Sequence, residues 1–555
     1  MTDVSVADLL LARRDDHKTG LVFEDDSWTW AEHVQESAVR AAWLSALRAP
    51  GPFHVAVLLD NVPDYSFLLG AVSLNGGVVV GVNPTRRGEE LARDLRRTDC
   101  QMIVTEGKYL EDLADLDLPF DRDRIFDVDS PAYAEALDGF RGATPPESVD
   151  ADPGDLMMLI FTSGTSGDPK AVRVTHRKIA GPGVGLAARG MMTREDVSYL
   201  SMPIFHSACV MAGWAPSLTT GATMVFRRRF SASGFLPDVR RYGVTFFHYV
   251  GKPLSYVLAT PAEPDDFDNT LRMANGNEAA DLDIERFARR FGCEVRDGFG
   301  STEGGVTVGR TPDTPPGSIG VLGEGVEILH QATGEPVPTG EFDADGRLLN
   351  PDEAIGELVN MRGSGSFEGY YENEGADAER MRGGMYWSGD LAYRDASGFV
   401  YFAGRTIEWL RVDGENFAAA PVERILARHP AVSQVAVYAV PSADVGDEVM
   451  ATLKLHTGSS FDPVDFVEFL EGQADLGTKW FPSFVRIASS LPETQTNKVL
   501  KRVLAREAWA TADPVWWRPD RREVALRQMT DADVDELAEQ LSARGRAHLL
   551  VGRNA

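Results

Sequence analysis

Five consecutive segments between Val55 and Val104 restrict the fold of this chain more than any other feature. Val55-Ala-Val-Leu-Leu59, Gly77-Val-Val-Val-Gly-Val82 and Met102-Ile-Val104 are apolar runs of strand length, and Ser66–Leu74 and Ala92–Asp99 between them have helical spacing. Strands joined through helices run parallel, and a parallel sheet has to be covered on both faces, so the fold class is α/β. The 555 residues suffice for two or more domains. Upstream, residues 4–48 read as two helices around a short strand. Thr29 and Glu32 have the spacing of a capping box, ahead of apolar residues at helical spacing from Ala31 to Leu47. Residues 105–155 are acidic and proline-bearing and are expected to decorate the surface.

A formal net charge of −29 argues against a nucleic-acid partner, which would need a basic face. A phosphorylated ligand would need local cations, backbone donors or a metal ion. Nine lysines stand against 46 arginines, so a lysine at the end of a motif stands out. Cys100, Cys209 and Cys293 show neither metal spacing nor a disulfide framework, which makes a reducing cytoplasm the expected compartment. The start lacks a basic stretch followed by an apolar run, so no signal peptide is expected. The longest apolar stretch, Leu68–Val82, is interrupted by Ser73, Asn75 and glycines, so no integral membrane segment is expected.

The chemistry is concentrated in Leu159-Ile-Phe-Thr-Ser-Gly-Thr-Ser-Gly-Asp-Pro-Lys170. The residues from Met157 to Phe161 read as a buried strand. Thr162, Ser163, Gly164, Thr165, Ser166 and Gly167 then offer hydroxyl and backbone donors, with glycines allowing close approach of an anion. Lys170 supplies a cation. The pattern is a phosphate cradle but not the Walker pattern, because no Gly-Lys-Ser/Thr opens a helix. A flexible surface loop is the structural alternative.

This loop resembles the signature of the adenylate-forming superfamily, which includes acyl-CoA synthetases, peptide-synthetase adenylation domains and luciferases. Five motifs in family order, over about residues 10–510, carry the resemblance. It implies a large N-terminal domain, 1–405, with helix-covered, mainly parallel sheets and a β-rich subdomain. It also implies a small mobile α+β domain, 406–512, and leaves 513–555 as a helical extension. Phe205-His206 matches an aromatic-histidine pair at the mouth of the acyl pocket, near the α-phosphate, and by that resemblance His206 is a catalytic-site residue; read without it, a packed, hydrogen-bonded histidine is the alternative. Val244–Val250 would line an acyl tunnel through His248 and Tyr249, or be a plain core strand. Gly276, Asn277 and Glu278 fall where the family has its adenine pocket. In Asp297-Gly-Phe-Gly-Ser-Thr-Glu303, the segment Gly298, Phe299, Gly300 and Ser301 would border adenine, with Phe299 in place of the usual tyrosine. Thr302 would reach the α-phosphate, and Glu303, with Thr162, would bind Mg²⁺.

Further along, Gly356-Glu-Leu-Val359 and Phe367-Glu-Gly-Tyr-Tyr371 look architectural. Asp390 matches the acid that holds the ribose hydroxyls, and Arg405 would reach ribose or phosphate. The pivot position is Ile407, a β-branched residue where the family has more permissive ones. Arg411, Gly414, Glu415 and Asn416 fall in a loop resembling the one that serves thioester formation. Lys498, in Leu491-Pro-Glu-Thr-Gln-Thr-Asn-Lys498, matches the adenylation lysine. The resemblance is nearest to actinobacterial acyl-CoA ligases of the fatty-acid transport branch, some acting on steroid side-chain carboxylates. The implied reaction joins a medium/long-chain fatty or steroid side-chain acid to CoA with ATP and Mg²⁺. A carrier-protein thiol as acceptor, and a non-catalytic acyl- or nucleotide-binding protein, are the alternatives. A homodimer and peripheral membrane contact are left open.

Overall fold

The computed structural model describes residues 4–162, 169–251, 253–277, 279, 281–311, 313–315, 317–342, 350–405, 409–412, 415–443, 446–473, 476–492, 499, 501–520 and 524–546. The alternating segments build a six-stranded sheet in the order Ile125–Asp127, Cys100–Thr105, His54–Leu58, Val78–Gly81, Leu156–Thr162, Lys170–Thr175. The first five strands are parallel and the last is antiparallel. Residues 105–155 are more than decoration: Ile125–Asp127 is an edge strand of this sheet, and Pro131–Asp138 is a helix that buries Tyr133 and Leu137. Two apolar residues among acids are enough for an edge strand, where half the backbone faces solvent, and composition hides them.

A seven-stranded sheet runs Glu294–Gly298, Met273–Asn277, Phe246–Val250, Val197–Leu200, Thr223–Phe226, Thr19–Phe23, Asp26–Thr29. All its pairs are parallel except the last, a hairpin turning at Glu24 with φ 55°. The N-terminal region therefore holds two strands between its helices, not one. The helix Trp30–Leu47 begins at the expected capping box: Thr29 Oγ1 accepts from Glu32 N–H at 3.1 Å, and Glu32 Oε2 accepts from Thr29 N–H at 2.7 Å. A third, antiparallel sheet between Val308 and Arg405 forms the β-rich part. One continuous core joins it to both parallel sheets, from Val6 and Trp30 through Val57, Ile160 and Trp214 to Tyr386 and Val400.

The C-terminal part has its own cores and a five-stranded mixed sheet, Val432–Pro441, Asp447–Leu455, Phe484–Ile487, Val515–Trp517, Arg527–Gln528. Trp409–Val412 and Glu415–Ala418 pair as antiparallel strands. The last residues add two short strands to the sheet before the helix Asp531–Ala543, which Thr530 and Asp533 cap reciprocally. That helix buries Leu537 and Leu541 against Tyr438, Met450 and Trp509, and Arg544 beyond it donates to Ser255 Oγ of the large part at 2.9 Å.

Candidate active site

In open α/β sheets ligands gather at the carboxyl ends of the strands. Here strand ends from both parallel sheets face one point. The Leu156–Thr162 strand stops at Thr162, and the Glu294–Gly298 strand runs out into Phe299–Glu303. Thr162 Oγ1 donates to Glu303 Oε1 at 3.0 Å, across 141 residues of sequence. Glu303 is 7% exposed, and Thr302 beside it lies 2.7 Å from Ser207 Oγ. Ser207 follows His206, so Phe205-His206 reaches the same place. The His206 and Phe205 rings are 5.8 Å apart.

Three further side chains close around Glu303. The phenol of Tyr370 donates to Glu303 Oε1 at 3.1 Å, and Arg380 Nε donates to that phenol at 3.3 Å. Lys178 Nζ donates to the Glu303 carbonyl at 2.9 Å. Burial pulls the Lys178 pKa down to about 8, against the opposing pull of Glu303 and Glu368. Tyr370 stands in a segment that reads as architectural from sequence, and it is that as well: Val172 and Tyr370 form an antiparallel bridge that ties it to the strand leaving the cradle. Lys178 and Arg380 belong to no motif. The scarcity of lysine was the one available pointer to Lys178.

Lys170 is the first residue of its strand and 4% exposed. Its ammonium pairs with Glu379 at 2.7 Å and lies 5.4 Å from the Tyr370 ring centre. It thus braces the Tyr370–Arg380 side of the site as well as closing the cradle stretch. Asp390 is 2% exposed, its N–H donating to Ser388 Oγ at 3.1 Å, and it pairs across the sheet with Arg405. Gly276 and Asn277 end their strand between Tyr249-Val250 and Asp297-Gly298. A Cβ on Gly276 would lie 2.2 Å from the Tyr249 carbonyl oxygen, so packing alone demands glycine there. Phe299 packs against Phe402 with ring centres 6.1 Å apart, Ser301 Oγ accepts from Gly304 N–H at 3.2 Å, and a Cβ on Gly300 would meet the Asn277 amide. Arg411 faces Asn416 and Val412 faces Glu415 across that antiparallel pair. Ser163–Gly167, Glu278, Ile407, Gly414 and Lys498 lie outside the described residues.

His248 and Tyr249 are successive residues of the strand Phe246–Val250 and point to opposite faces of it. Tyr249 sits with Phe247 in the aromatic core of Tyr199, Phe235 and Phe287, and its hydroxyl donates to Asp297 Oδ2 at 2.9 Å. His248 shares the face of Phe246. Its Nδ1 lies 3.0 Å from the Asn275 carbonyl, which assigns the proton to Nδ1, and its buried Nε2 has no partner among the described residues. Burial lowers its pKa to about 4. The unfolded chain therefore binds this proton below about pH 6.5 while the folded chain does not until about pH 4, so stability falls as pH drops through that window. The melting temperature of the wild type is expected to fall more steeply than that of His248→Leu between pH 7 and pH 4.5, by differential scanning calorimetry. Parallel slopes would contradict the burial of a neutral imidazole.

All three cysteines are free and buried, and burial raises each thiol pKa, so none offers a thiolate nucleophile. No described helix is long and apolar enough to cross a membrane.

Family comparison places this geometry. Residues 11–371 match the model of the AMP-binding enzyme, and residues 421–498 that of the AMP-binding enzyme C-terminal domain. The chain is 48% identical over 547 residues to steroid-22-oyl-CoA synthetase of Rhodococcus jostii (strain RHA1), covering 98% of this chain and 99% of that one. It is 51% identical over 522 residues to medium/long-chain-fatty-acid–CoA ligase FadD17 of Mycobacterium tuberculosis, covering 94% and 99%. Among solved structures, o-succinylbenzoate CoA synthetase (MenE) of Bacillus subtilis superposes with a TM-score of 0.73 at 23% identity, covering 91% of this chain and 99% of that one. ATP-bound MatB of Rhodopseudomonas palustris superposes at 0.61 and 22%, covering 90% and 98%. Strand ends that bring Thr162 to Glu303, both family models in chain order, and relatives aligned almost end to end lead to one conclusion: this chain belongs to the family of AMP-binding enzymes.

Proposed function

We propose that this enzyme activates a carboxylic acid with ATP and transfers the acyl group to coenzyme A. The acid is a medium/long-chain fatty acid or a steroid side-chain carboxylate, the substrate classes named for its relatives. The observation that carries this reading is the Thr162–Glu303 bond, which unites the cradle strand with the Phe299–Glu303 segment at one buried carboxylate. Residues 1–405 form the ATP- and acyl-binding domain, 406–512 the mobile small domain and 513–555 an extension of it.

A carboxylate is a poor acyl donor because its leaving group would be oxide. Attack of its oxygen in line on the α-phosphorus of ATP gives an acyl-adenylate and pyrophosphate. The CoA thiol then attacks the mixed-anhydride carbonyl and AMP leaves. Charge accumulates on phosphate oxygens, so positioning and electrostatics dominate. Thr302 donates to the α-phosphate. Ser163–Gly167 cradle the remaining phosphates. Asp390 accepts from the ribose hydroxyls, and Gly276, Asn277, Glu278 and Phe299 border adenine, with Arg405 beside the sugar. Lys498 brings positive charge to the reacting phosphate from the small domain, and Arg411–Asn416 replaces it for thioester formation.

Glu303 and Thr162 would hold Mg²⁺, and their chemistry fits. A carboxylate and a hydroxyl are hard oxygen ligands, and the Thr162 proton is engaged by Glu303, which turns its lone pairs outward. Among the described residues no cluster of three or more His, Cys, Asp or Glu forms a cage, as suits an ion that completes its shell with phosphate and water. When bound, the ion neutralises charge on the phosphate oxygens. A pyrophosphate-release screen over short, medium, long-chain and steroid acids tests the proposal. Acid-dependent release, with acyl-CoA formed on adding CoA, is the expected result. Silence across the panel, or transfer to a carrier-protein thiol but not to CoA, overturns it.

A further inference from the structure

Asp390 and Glu303 serve opposite ends of the nucleotide in the reading above, yet two side chains outside any functional motif connect them. Arg380 closes the helix Glu374–Arg380. One arm of its guanidinium donates to the carbonyls of Ser388, at 2.5 Å, and Trp387, at 3.3 Å. Ser388 Oγ in turn accepts the Asp390 N–H. The other arm, Nε, donates to the Tyr370 phenol, which donates to Glu303 Oε1. Gly389 makes the approach feasible: its φ is +77°, and a Cβ there would lie 2.5 Å from the Arg380 guanidinium.

The relay has a fixed polarity. Arg380 Nε can only donate, so the phenol oxygen accepts from it and the phenol proton is left for Glu303 Oε1. Burial works against the Arg380 charge, but Tyr370, Tyr386 and Glu303 outweigh it and keep the guanidinium protonated. Tyr370 is 3% exposed and gripped from both sides, its N–H donating to Asp377 Oδ1 at 2.8 Å and its ring packing 5.1 Å from Phe367. A shift of Ser388–Asp390, in the strand Met385–Arg394, is therefore passed to the Glu303 carboxylate rather than absorbed by a loose side chain.

We propose that Arg380 and Tyr370 are positioning residues that couple ribose binding at Asp390 to cation binding at Glu303. This rests on the ligase reading. Coupling between two sites is reciprocal: a cation that tightens ATP binding is itself tightened by ATP to the same degree. Removing the Tyr370 hydroxyl leaves both binding ends in place and cuts the link.

Calorimetric titration with ATP, with and without Mg²⁺, tests the link apart from turnover. In Tyr370→Phe the factor by which Mg²⁺ tightens ATP is expected to shrink about tenfold, the size of one lost hydrogen bond to a charged group. Affinity without Mg²⁺ should stay within about twofold, since no group touching adenine or ribose is altered. Arg380→Lys, which keeps the charge but loses the fork, should shrink the factor likewise and serves if Tyr370→Phe does not fold. An unchanged factor, or equal losses with and without Mg²⁺ alongside a lowered melting temperature, overturns the relay. Glu303→Gln separates the two readings. If it leaves the Mg²⁺ effect intact, the metal role of Glu303 fails; if it abolishes the effect while Tyr370→Phe spares it, only the relay fails.

Discussion

Lys498→Ala is expected to slow acyl-adenylate formation by about a thousandfold while leaving thioester formation from supplied acyl-adenylate within about threefold. The asymmetry follows from where charge develops. In the first half-reaction the pentacoordinate phosphorus gathers negative charge and pyrophosphate departs, so a missing ammonium is felt in the transition state. In the second, a neutral thiol or its thiolate attacks a carbonyl and the phosphate already carries its charge. The chain is poor in basic residues for a polyanion, with a net charge of −29. Among the cations near Glu303, Lys170 is paired with Glu379, and Lys178 and Arg380 are engaged with a carbonyl and a phenol. In the proposed mechanism the additional charge comes from Lys498 of the small domain. Pyrophosphate exchange and single-turnover thioester assays report the two steps separately. Equal losses in both would contradict alternation of the small domain between them.

Glu303→Gln is expected to lower kcat/KM by about a hundredfold and to move the Mg²⁺ titration to much higher concentration. The substitution keeps size and hydrogen-bonding capacity, so the hydroxyls of Thr162 and Tyr370 can still donate to the amide oxygen. What it removes is the charge. That loss also acts on Lys178, whose pKa, already lowered by burial, is held up in part by Glu303. A modest drop in melting temperature is therefore expected with the kinetic defect. A Mg²⁺ titration superimposable on that of the wild type would rule out the metal role.

Much of the local structure was legible in the residues themselves. The capping box at Thr29 and Glu32 appears where side-chain chemistry within four positions puts it, and the strands of the first sheet where their apolar runs put them. Less legible were features decided by neighbours distant in sequence. The edge strand Ile125–Asp127 exists because Cys100–Thr105 offers it a partner, and the hairpin at Thr19–Thr29 because Thr223–Phe226 supports its first strand. The site shows the same division. Thr162, Thr302, Glu303 and Asp390 stand in recognisable motifs, whereas Tyr370 comes to Glu303, and Arg380 to Tyr370, from segments whose sequence carries no sign of it, and only the scarcity of lysine points to Lys178.

Sequence alone determined the α/β class, the order of the strand–loop motifs and the identity of the residues that end those strands, because strand and helix periods and turn residues are set by near neighbours. The tertiary structure decided which ends meet, which face of the Phe246–Val250 strand carries His248 and which carries Tyr249, and that one buried carboxylate is held by two hydroxyls and backed by a lysine and an arginine. Those choices depend on the stacking of whole sheets across separations such as the 141 residues from Thr162 to Glu303, a distance over which no local pattern reports.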